Sequence, residues 1–191
     1  LDCDGDGVTN GDEITDATDP LDACDLVLES HTMTPSEEWN LLDCDNDGNP
    51  NGKDPNPLTA TGVDDSGTTP PLEELVINIL ENDDYLPNND ANNLGITSIT
   101  RIGGDATGVV SFDPETGELS YTPSESENDT NLNIIYEVCN TVPEPEVCAS
   151  ATGTIFVSAN PIDAVDEDFS WLLADGTAGG VIEGGNIFDN D

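Results

Sequence analysis

Positive charge is almost absent from this sequence. Lys53 and Arg101 are its only lysine and arginine, against 42 Asp and Glu, which gives a formal net charge of −40. Binding to a phosphate backbone needs Lys and Arg to displace counterions, so the composition argues against nucleic acid and against an anionic membrane surface as partners. Apolar runs are also short, and none reaches the roughly 18 to 20 residues that cross a bilayer. We therefore expect no membrane insertion of this segment.

Residues suited to catalysis are scarce as well. The single histidine, His31, lies in neither a Cys-His nor a Gly-x-Ser-x-Gly context, and we expect it to be exposed and without a catalytic role. Carboxylates occur throughout, so no glycosidase pair stands out. One histidine and no Cys-x-x-Cys pair also disfavour a zinc site. The sequence predicts a protein that is not an enzyme.

The excess of carboxylates predicts a need for cations. Self-repulsion of this size opposes a compact fold unless cations neutralise it, and Ca²⁺ prefers oxygen ligands. The alternative explanation is generic acidity, as in a disordered or salt-adapted protein. Periodic Val, Ile, Tyr and Phe in the C-terminal half argue against disorder there.

The chain begins at Leu1 with neither a signal peptide nor an anchor, so we expect a segment of a longer protein. Its five cysteines, in an acidic and turn-rich chain, are better explained by disulfides than by metal binding. Disulfides predict an oxidising, extracellular compartment. The alternative is that the cysteines are free and buried.

The chain divides into two compositionally different halves. Asp, Asn, Gly and Pro dominate 1–57, apolar and polar residues alternate over 72–160, and the Thr-, Gly- and Pro-rich segment 58–71 is predicted to be a linker. Strands are predicted near 73–80, 94–102, 108–112, 118–122, 131–139 and 150–158, with a tight hairpin at 113–117. The expected core residues are Val76, Ile79, Leu80, Ile96, Ile99, Ile102, Ile134, Tyr136 and Val138. The fold class is therefore mainly β, an antiparallel β-sandwich preceded by irregular loops with a short helix.

A twelve-residue loop near the N-terminus matches the pattern of calcium-binding loops. Alternate residues of a curling loop point their oxygens inward, Gly7 permits the sharp turn, and a carboxylate at the twelfth position closes the coordination shell. The predicted ligands are Asp2, Asp4, Asp6, Val8 through its backbone carbonyl, Asn10 and Glu13.

The pattern recurs 41 positions later along the chain. The predicted ligands of this second loop are Asp43, Asp45, Asp47, Asn49 through its backbone carbonyl, Asn51 and Asp54. A shorter Asp at the twelfth position predicts a weaker or monodentate closure. For both loops the alternative is a set of Asp, Asn and Gly turns that hold no metal.

A short helix is predicted between the two loops. Thr34 is suited to the N-cap, with Pro35 at the first helical position and Glu37 completing a capping box. Trp39 and Leu42 are expected to pack on the core of the N-terminal half rather than to bind a ligand.

A second internal sequence repeat predicts a tandem array of domains. Asn-Ile-Leu-Glu-Asn-Asp at 78–83 is followed by Asn-Ile-Phe-Asp-Asn-Asp at 186–191, so we expect 161–191 to begin a further β-sandwich. Acidic residues near the expected module junctions could hold stiffening Ca²⁺, with solvated loop acids as the equal alternative. These residues are Asp64, Asp65, Asp83, Asp84, Asp166 and Asp168.

The two loops resemble thrombospondin type 3 repeats, which carry D-x-D-x-D-G-x-x-N with a following cysteine. The resemblance covers about 1–57 and implies Ca²⁺ held mainly by loops, with Asp16 and Asp19 as possible further ligands. A paired EF-hand fits less well, because Asp-Pro steps end each unit. A dockerin-like module is disfavoured for the same reason and because second helices are not evident.

Disulfide pairing follows by elimination. Cys44 has no downstream cysteine before the next domain, so it is expected to pair with Cys24, which leaves Cys3 to an upstream repeat. Cys139 and Cys148 flank a Pro- and Glu-rich loop between the last two strands and should staple a hairpin.

The second half resembles cadherin-like and bacterial Ig-like repeats of large surface proteins. The resemblance lies in V-I-N-I-L-E-N-D at 76–83, G-E-L-S-Y-T-P at 117–123, Y-E-V-C at 136–139 and G-T-I-F-V at 153–157. Together with the loops, this order is similar to the giant adhesins of gliding Bacteroidetes. The resemblance implies filaments at the cell surface, with partners among other repeats of the same chain, a glycan or protein target, and the secretion and surface-motility machinery.

The predicted function is thus a calcium-stiffened stalk or adhesive segment of a large secreted adhesin, acting in adhesion or gliding motility. The alternative is a set of accessory spacer modules of a secreted multidomain enzyme. A catalytic domain elsewhere in the parent sequence favours the enzyme, and many more repeats favour the adhesin.

Overall fold

A computed structural model describes residues 1–142 and 144–159. Helix α1 (Asn10–Asp16) overlaps the end of the first predicted calcium loop, 2–13, and short 3-10 helices occupy Leu28–Ser30 and Trp39–Leu41. The strands, all C-terminal to residue 64, are β1 (Asp65–Thr69), β2 (Leu75–Asn78), β3 (Thr97–Gly104), β4 (Val109–Asp113), β5 (Glu118–Thr122), β6 (Thr130–Asn140) and β7 (Val147–Val157). Across the described ranges, no helix has the length and apolar character needed to cross a bilayer.

The strands form two sheets, which confirms the predicted β-sandwich. One sheet has the order β1-β7-β6-β3, and the other has the order β2-β5-β4. Neighbouring strands run antiparallel except β1, which lies parallel to β7. The predicted hairpin at 113–117 joins β4 to β5, and Gly117 takes a left-handed φ of 74° there. All six predicted strands are present; β5 has the predicted bounds, and the other five have shifted ends.

Strand β1 lies within the segment predicted to be a linker, 58–71. Its sequence, Asp-Ser-Gly-Thr-Thr, has no apolar alternation and therefore gives no strand signal. Pairing with β7, from Asp65 opposite Gly153 to Thr69 opposite Val157, holds it at the sheet edge. The sandwich thus begins at residue 65 rather than 72. The predicted further repeat, 161–191, lies outside the described residues.

The core lies between the two sheets and follows the alternation of the long strands. On β6, Ile134, Tyr136 and Val138 are buried, as predicted, whereas the intervening Ile135 is 36% exposed. Ile79, Leu80 and Ile99 are also buried as predicted. Three residues expected in the core are instead about half exposed: Val76, Ile96 and Ile102.

The exposed residues follow from strand parity. In β2 the partly buried Leu75 and Ile77 pack against the core, so Val76 between them faces outward. In β3 Ile99 faces inward, so Ile102, an odd number of residues further on, faces outward, and it is unpaired in the bulge between Arg101 and Gly103. The spacing of three between Ile99 and Ile102 cannot place both residues on one face of a strand.

The N-terminal half has a small core of its own, which contains Val8, Leu26 and Trp39. Trp39 is buried as predicted, and its indole N–H donates to the Ala23 carbonyl at 2.8 Å. Leu42, predicted to pack beside it, is largely exposed.

The helix predicted from Thr34 is replaced by a turn and the 3-10 helix Trp39–Leu41. The chain before it pairs with the first loop, because the Ser36 N–H donates to the Gly5 carbonyl at 2.8 Å. The Ser36 hydroxyl, rather than that of Thr34, accepts a hydrogen bond from the Trp39 N–H at 3.0 Å, at the first residue of this 3-10 helix.

Both predicted disulfides are present. Cys24 pairs with Cys44 in the N-terminal half, and Cys139 pairs with Cys148 directly across β6 and β7. The fifth cysteine, Cys3, is exposed. Each bridge stabilises the fold by about 3 kcal/mol in the chain-entropy model. The disulfides indicate an oxidising, extracytoplasmic environment.

Glu127 is a buried carboxylate that holds two loops of the sandwich together. Its two oxygens accept from the backbone N–H groups of Thr107 at 2.6 Å and Ser124 at 2.7 Å. Burial alone would raise the pKa of Glu127, but these hydrogen bonds outweigh it and lower the pKa to about 2. The charged form is therefore the one that stabilises the fold.

Replacing this carboxylate, Glu127→Gln, should cost about 1 to 3 kcal/mol at pH 7, because a buried charge-assisted hydrogen bond is lost. A folded pKa below the unfolded value of about 4.3 means that the contribution is present above that value and is lost as the pH falls towards 2. Urea unfolding at pH 7 and pH 3 measures the difference. The exposed Glu125→Gln is the matched control, and an equal cost at both pH values would contradict the prediction.

Candidate metal centre

The two predicted calcium loops share one backbone framework. In the first, Asp2 accepts from the N–H groups of Gly5 at 2.7 Å and Gly7 at 3.1 Å. In the second, Asp43 accepts from the Gly48 N–H at 3.0 Å. Gly7 and Gly48 have φ values of 97° and 95°, a region that side chains rarely adopt. The first aspartate of each loop thus holds the glycine turn in place.

The third aspartate of each loop divides its two oxygens between two roles. Oδ1 of Asp6 accepts from the Val8 N–H at 2.7 Å, and Oδ1 of Asp47 accepts from the Asn49 N–H at 2.8 Å. Both aspartates are fully buried, yet Oδ2 of each has no hydrogen-bond partner in the described part of the chain. One oxygen shapes the loop, and the other is available to a ligand.

Unpartnered buried oxygens concentrate on the predicted ligands. Eleven of the fifteen buried side-chain polar atoms without a partner among the described residues belong to the two predicted ligand sets. They are both oxygens of Asp4 and Glu13, Oδ2 of Asp6, Oδ1 of Asn10, Oδ1 of Asp43, Oδ2 of Asp45, Asp47 and Asp54, and Oδ1 of Asn49. Leaving a buried polar group unpaired costs about 1 to 3 kcal/mol, so these oxygens are the ones for which a bound ligand would be most stabilising.

Helix α1, which the sequence analysis did not predict, carries Glu13 into the first loop. Thr9 is its N-cap, and the Thr9 hydroxyl accepts from the Asp12 N–H at 3.3 Å. Thr9-x-x-Asp12 is a capping pattern that could have predicted this helix. Glu13 is fully buried, and burial, with repulsion from Asp4 and Asp6, raises the pKa of Glu13 to about 7.

In the second loop, too, the ionised forms of the carboxylates are disfavoured. Burial, followed by repulsion from neighbouring aspartates, raises the pKa of Asp45 to about 7 and that of Asp47 to about 8. Asp43, Asp45 and Asp47 place carboxylate oxygens within 4.8 Å of one another, as Asp2, Asp4 and Asp6 do in the first loop. At that separation two full charges repel by roughly 3.5 kcal/mol at an effective dielectric constant of about 20. A divalent cation would convert this repulsion into attraction.

Asn49 and Asn51 of the second loop have different side-chain environments. The side-chain oxygen of Asn51 accepts from the Cys44 N–H at 3.1 Å, and its amide donates to the Trp39 carbonyl at 3.1 Å, so Asn51 braces the loop. Asn49, which corresponds to Val8 of the first loop, has a buried side-chain oxygen without a partner in the described residues, in addition to its backbone carbonyl. The spacing of residues along the loop predicts which residues are ligands, but it does not predict which oxygen atom each asparagine presents.

The further acids proposed as ligands have different surroundings. Asp16 and Asp19 are exposed, and each accepts a hydrogen bond, from the Ser30 hydroxyl and from the Leu21 N–H respectively. Asp64 and Asp65 bond within the sandwich, to the Thr152 N–H and the Tyr136 hydroxyl. Asp84 is brought together with Asp47 and Asp54. Asp166 and Asp168 lie outside the described residues.

His31 is partly buried rather than exposed as predicted. Its ring meets that of Trp39 edge-on, with ring centres 5.7 Å apart and planes at 80°. It serves as packing for the small N-terminal core.

Comparisons with known proteins leave the family open. No family model and no curated protein matches the chain. A nucleoside hydrolase-related hypothetical protein from Saccharophagus degradans, associated with carbohydrate metabolism, is 11% identical over 49% of this chain and 22% of that one, with a TM-score of 0.35. An endo-fucoidan hydrolase of glycoside hydrolase family 107 is 13% identical over 52% of this chain and 15% of that one, with a TM-score of 0.32. The human desmocollin-1 ectodomain is 17% identical over 58% of this chain and 21% of that one, with a TM-score of 0.28. The chain thus spans less than a quarter of each protein, and similarities of this strength carry no argument about function.

Proposed function

We propose that this chain is a calcium-binding structural segment of a secreted protein, a stalk or adhesive module of a large cell-surface adhesin. The observation that carries the proposal is the set of eleven unpartnered buried oxygens, which coincides with two loops that match the calcium pattern. A chain with a formal charge of −40 has almost no basic side chains with which to neutralise them.

The donor set suits Ca²⁺. Calcium takes six to eight oxygen ligands in flexible geometry, whereas Mg²⁺ demands a near-ideal octahedron and keeps several waters. In the first loop, Asp4, Asp6 and Asn10 offer side-chain oxygens, and both oxygens of Glu13 are available for bidentate closure. These donors come from flexible carboxylates on a curved loop, which favours the larger ion.

Ca²⁺ would stiffen the N-terminal half, which is otherwise ordered only by the Cys24–Cys44 disulfide and a small apolar core. Its buried apolar cluster contains only Val8, Leu26 and Trp39, with a few partly buried neighbours. So small a core does not by itself order a segment of this length, and disulfides or metals usually complete such units. The ion would connect Asp4 and Asp6 to Glu13 on α1 and so fix the loop to the helix. Resemblance to adhesin repeats supports a role in adhesion or gliding motility.

Calcium titration by calorimetry on the chelator-treated chain tests the proposal. We expect about two or more ions, bound in the ~10⁻⁴ to 10⁻³ M range of extracellular modules or more tightly. Glu13→Gln removes the bidentate ligand of the first loop and should abolish one site or weaken it by about tenfold or more. The exposed Glu29→Gln, in the same half of the chain, makes the same change of charge and should leave both sites intact.

Stiffening is measured on the same samples by limited proteolysis. Peptide bonds within 1–57 should be protected in CaCl₂ and cleaved in chelator, whereas the sandwich should resist in both. A wild-type chain that takes up no Ca²⁺ at millimolar concentration, with unchanged cleavage, would remove the basis of the proposal.

A further inference from the structure

The second calcium loop is docked onto the β-sandwich. The Leu94 N–H donates to the Gly48 carbonyl at 2.8 Å, and the buried Asn140, at the end of β6, donates to the Asn46 carbonyl at 3.1 Å. In return, the Asn46 amide donates to the Pro145 carbonyl at 2.8 Å. The loop and the sandwich therefore share a polar interface.

Three carboxylates converge at this interface. Asp47 and Asp54 belong to the second loop, and Asp84 belongs to the segment between β2 and β3 of the sandwich. Each offers an oxygen within 4.8 Å of the other two. All three side chains are buried, with exposures of 0%, 9% and 2% respectively.

Protein groups leave the negative charge of this cluster uncompensated. Oδ2 of Asp47 and Oδ2 of Asp54 have no hydrogen-bond partner within the described ranges. The oxygens of Asp84 accept from the Asn56 amide at 3.1 and 3.2 Å and from the Thr61 hydroxyl, which are neutral donors. Of the two basic residues, Lys53 is exposed, and Arg101 donates to backbone carbonyls of the sandwich.

The carboxylates that close the two loops explain why the second loop needs a further ligand. In the first loop both oxygens of Glu13 are free to close the shell. In the second, Oδ1 of Asp54 accepts from the Asn56 N–H at 2.6 Å, so only Oδ2 remains for an ion. The second loop alone is therefore one carboxylate oxygen short of the first.

We propose that Asp84 completes the second site as a ligand from the sandwich, so that one Ca²⁺ is shared between Asp47, Asp54 and Asp84. This inference rests on the proposed function, because it assumes that the second loop binds Ca²⁺. The shared ion locks the N-terminal half onto the sandwich. Binding of Ca²⁺ and docking of the two halves are then one event, and release of the ion loosens both.

The test compares Asp84→Asn with wild type in the full chain, with CaCl₂ as the probe. Asparagine keeps an acceptor for Asn56 and Thr61 but removes the charge. Calorimetry should show the first site unchanged and the second weakened by about tenfold or more. Asp129→Asn is the control, because Asp129 is an exposed sandwich residue with a left-handed φ that asparagine tolerates equally well.

Melting temperatures measured in CaCl₂ and in EGTA distinguish a Ca²⁺ ligand from a residue that has only a structural role. Asp84→Asn should lower the melting temperature in CaCl₂ and leave it unchanged or raise it in EGTA, since one of three repelling charges is gone. An equal decrease in both conditions, or calcium affinity equal to that of Asp129→Asn, would overturn the proposal. If wild type binds a single ion that Glu13→Gln abolishes, this inference fails while the proposed function stands. If wild type binds none, both fail.

Discussion

The melting temperature of the chelator-treated chain should rise on addition of Ca²⁺, and the rise should be larger at pH 8 than at pH 5. At a free concentration 100 times Kd, each site adds about 2.7 kcal/mol, so two sites add about 5 kcal/mol. For a chain of this size that corresponds to a shift on the order of 10 °C or more at pH 8.

The pH dependence follows from the buried carboxylates of the loops. Burial and mutual repulsion raise the pKa of Glu13 to about 7 and that of Asp47 to about 8 in the metal-free chain. These folded pKa values lie above the unfolded values of about 4, so the stability they give is fully present below pH 4 and is lost as the pH rises through 7 to 8. Ca²⁺ binds the ionised form, so its affinity increases over the same interval.

Differential scanning calorimetry at both pH values, with and without Ca²⁺, measures this effect. KCl at equal ionic strength is the essential control, because a chain of net charge −40 is also stabilised by simple screening. A shift that KCl reproduces, or one that is larger at pH 5, would show that the loops do not bind Ca²⁺ specifically.

The largest effect expected within the sandwich is that of Ile134→Ala. Ile134 is fully buried between the sheets, so its truncation should cost about 2 to 5 kcal/mol through lost burial and the cavity that remains. Ile135, the next residue on β6, points to the other side and is 36% exposed. Ile135→Ala is therefore a matched control, expected to cost less than about 1 kcal/mol.

Urea unfolding of the two variants, with saturating Ca²⁺ present throughout, measures the difference. Saturating Ca²⁺ keeps the loops in one state, so that only the sandwich is compared. Equal costs for the two alanine variants would mean that β6 does not present alternate faces to core and solvent.

The strands that the sequence predicted are those with an apolar period. β6 alternates Ile134, Tyr136 and Val138 with outward residues, and this period directly reflects burial on one face. β1 could not be predicted in this way, because its residues are small and polar and its pairing partner, β7, is about 90 residues away. Ile102 was misplaced because it lies three residues after the buried Ile99, and an odd separation puts two residues on opposite faces of a strand.

The candidate metal site also has a part that the sequence predicts and a part that depends on the fold. The donors within each loop are set by local spacing, and the unpartnered oxygens of Asp4, Asp6 and Glu13 lie on predicted positions. The convergence of Asp84 with Asp54 depends on how the sandwich docks, and no spacing rule relates residues 30 positions apart. Asn51 shows the opposite case, a residue with suitable spacing whose side chain is committed to the backbone of Cys44.

The parallel pairing of β1 with β7 has a mechanical consequence. The chain enters β1 at Asp65, opposite Gly153, and leaves β7 at Val157, opposite Thr69, so entry and exit lie at opposite ends of this ladder. Under the proposed stalk function, tension on the chain would pull β1 and β7 in opposite directions along their length. The hydrogen bonds of this ladder would be loaded in shear and would have to break together rather than one after another. A stalk built in this way would resist unfolding best when it is pulled along these two strands.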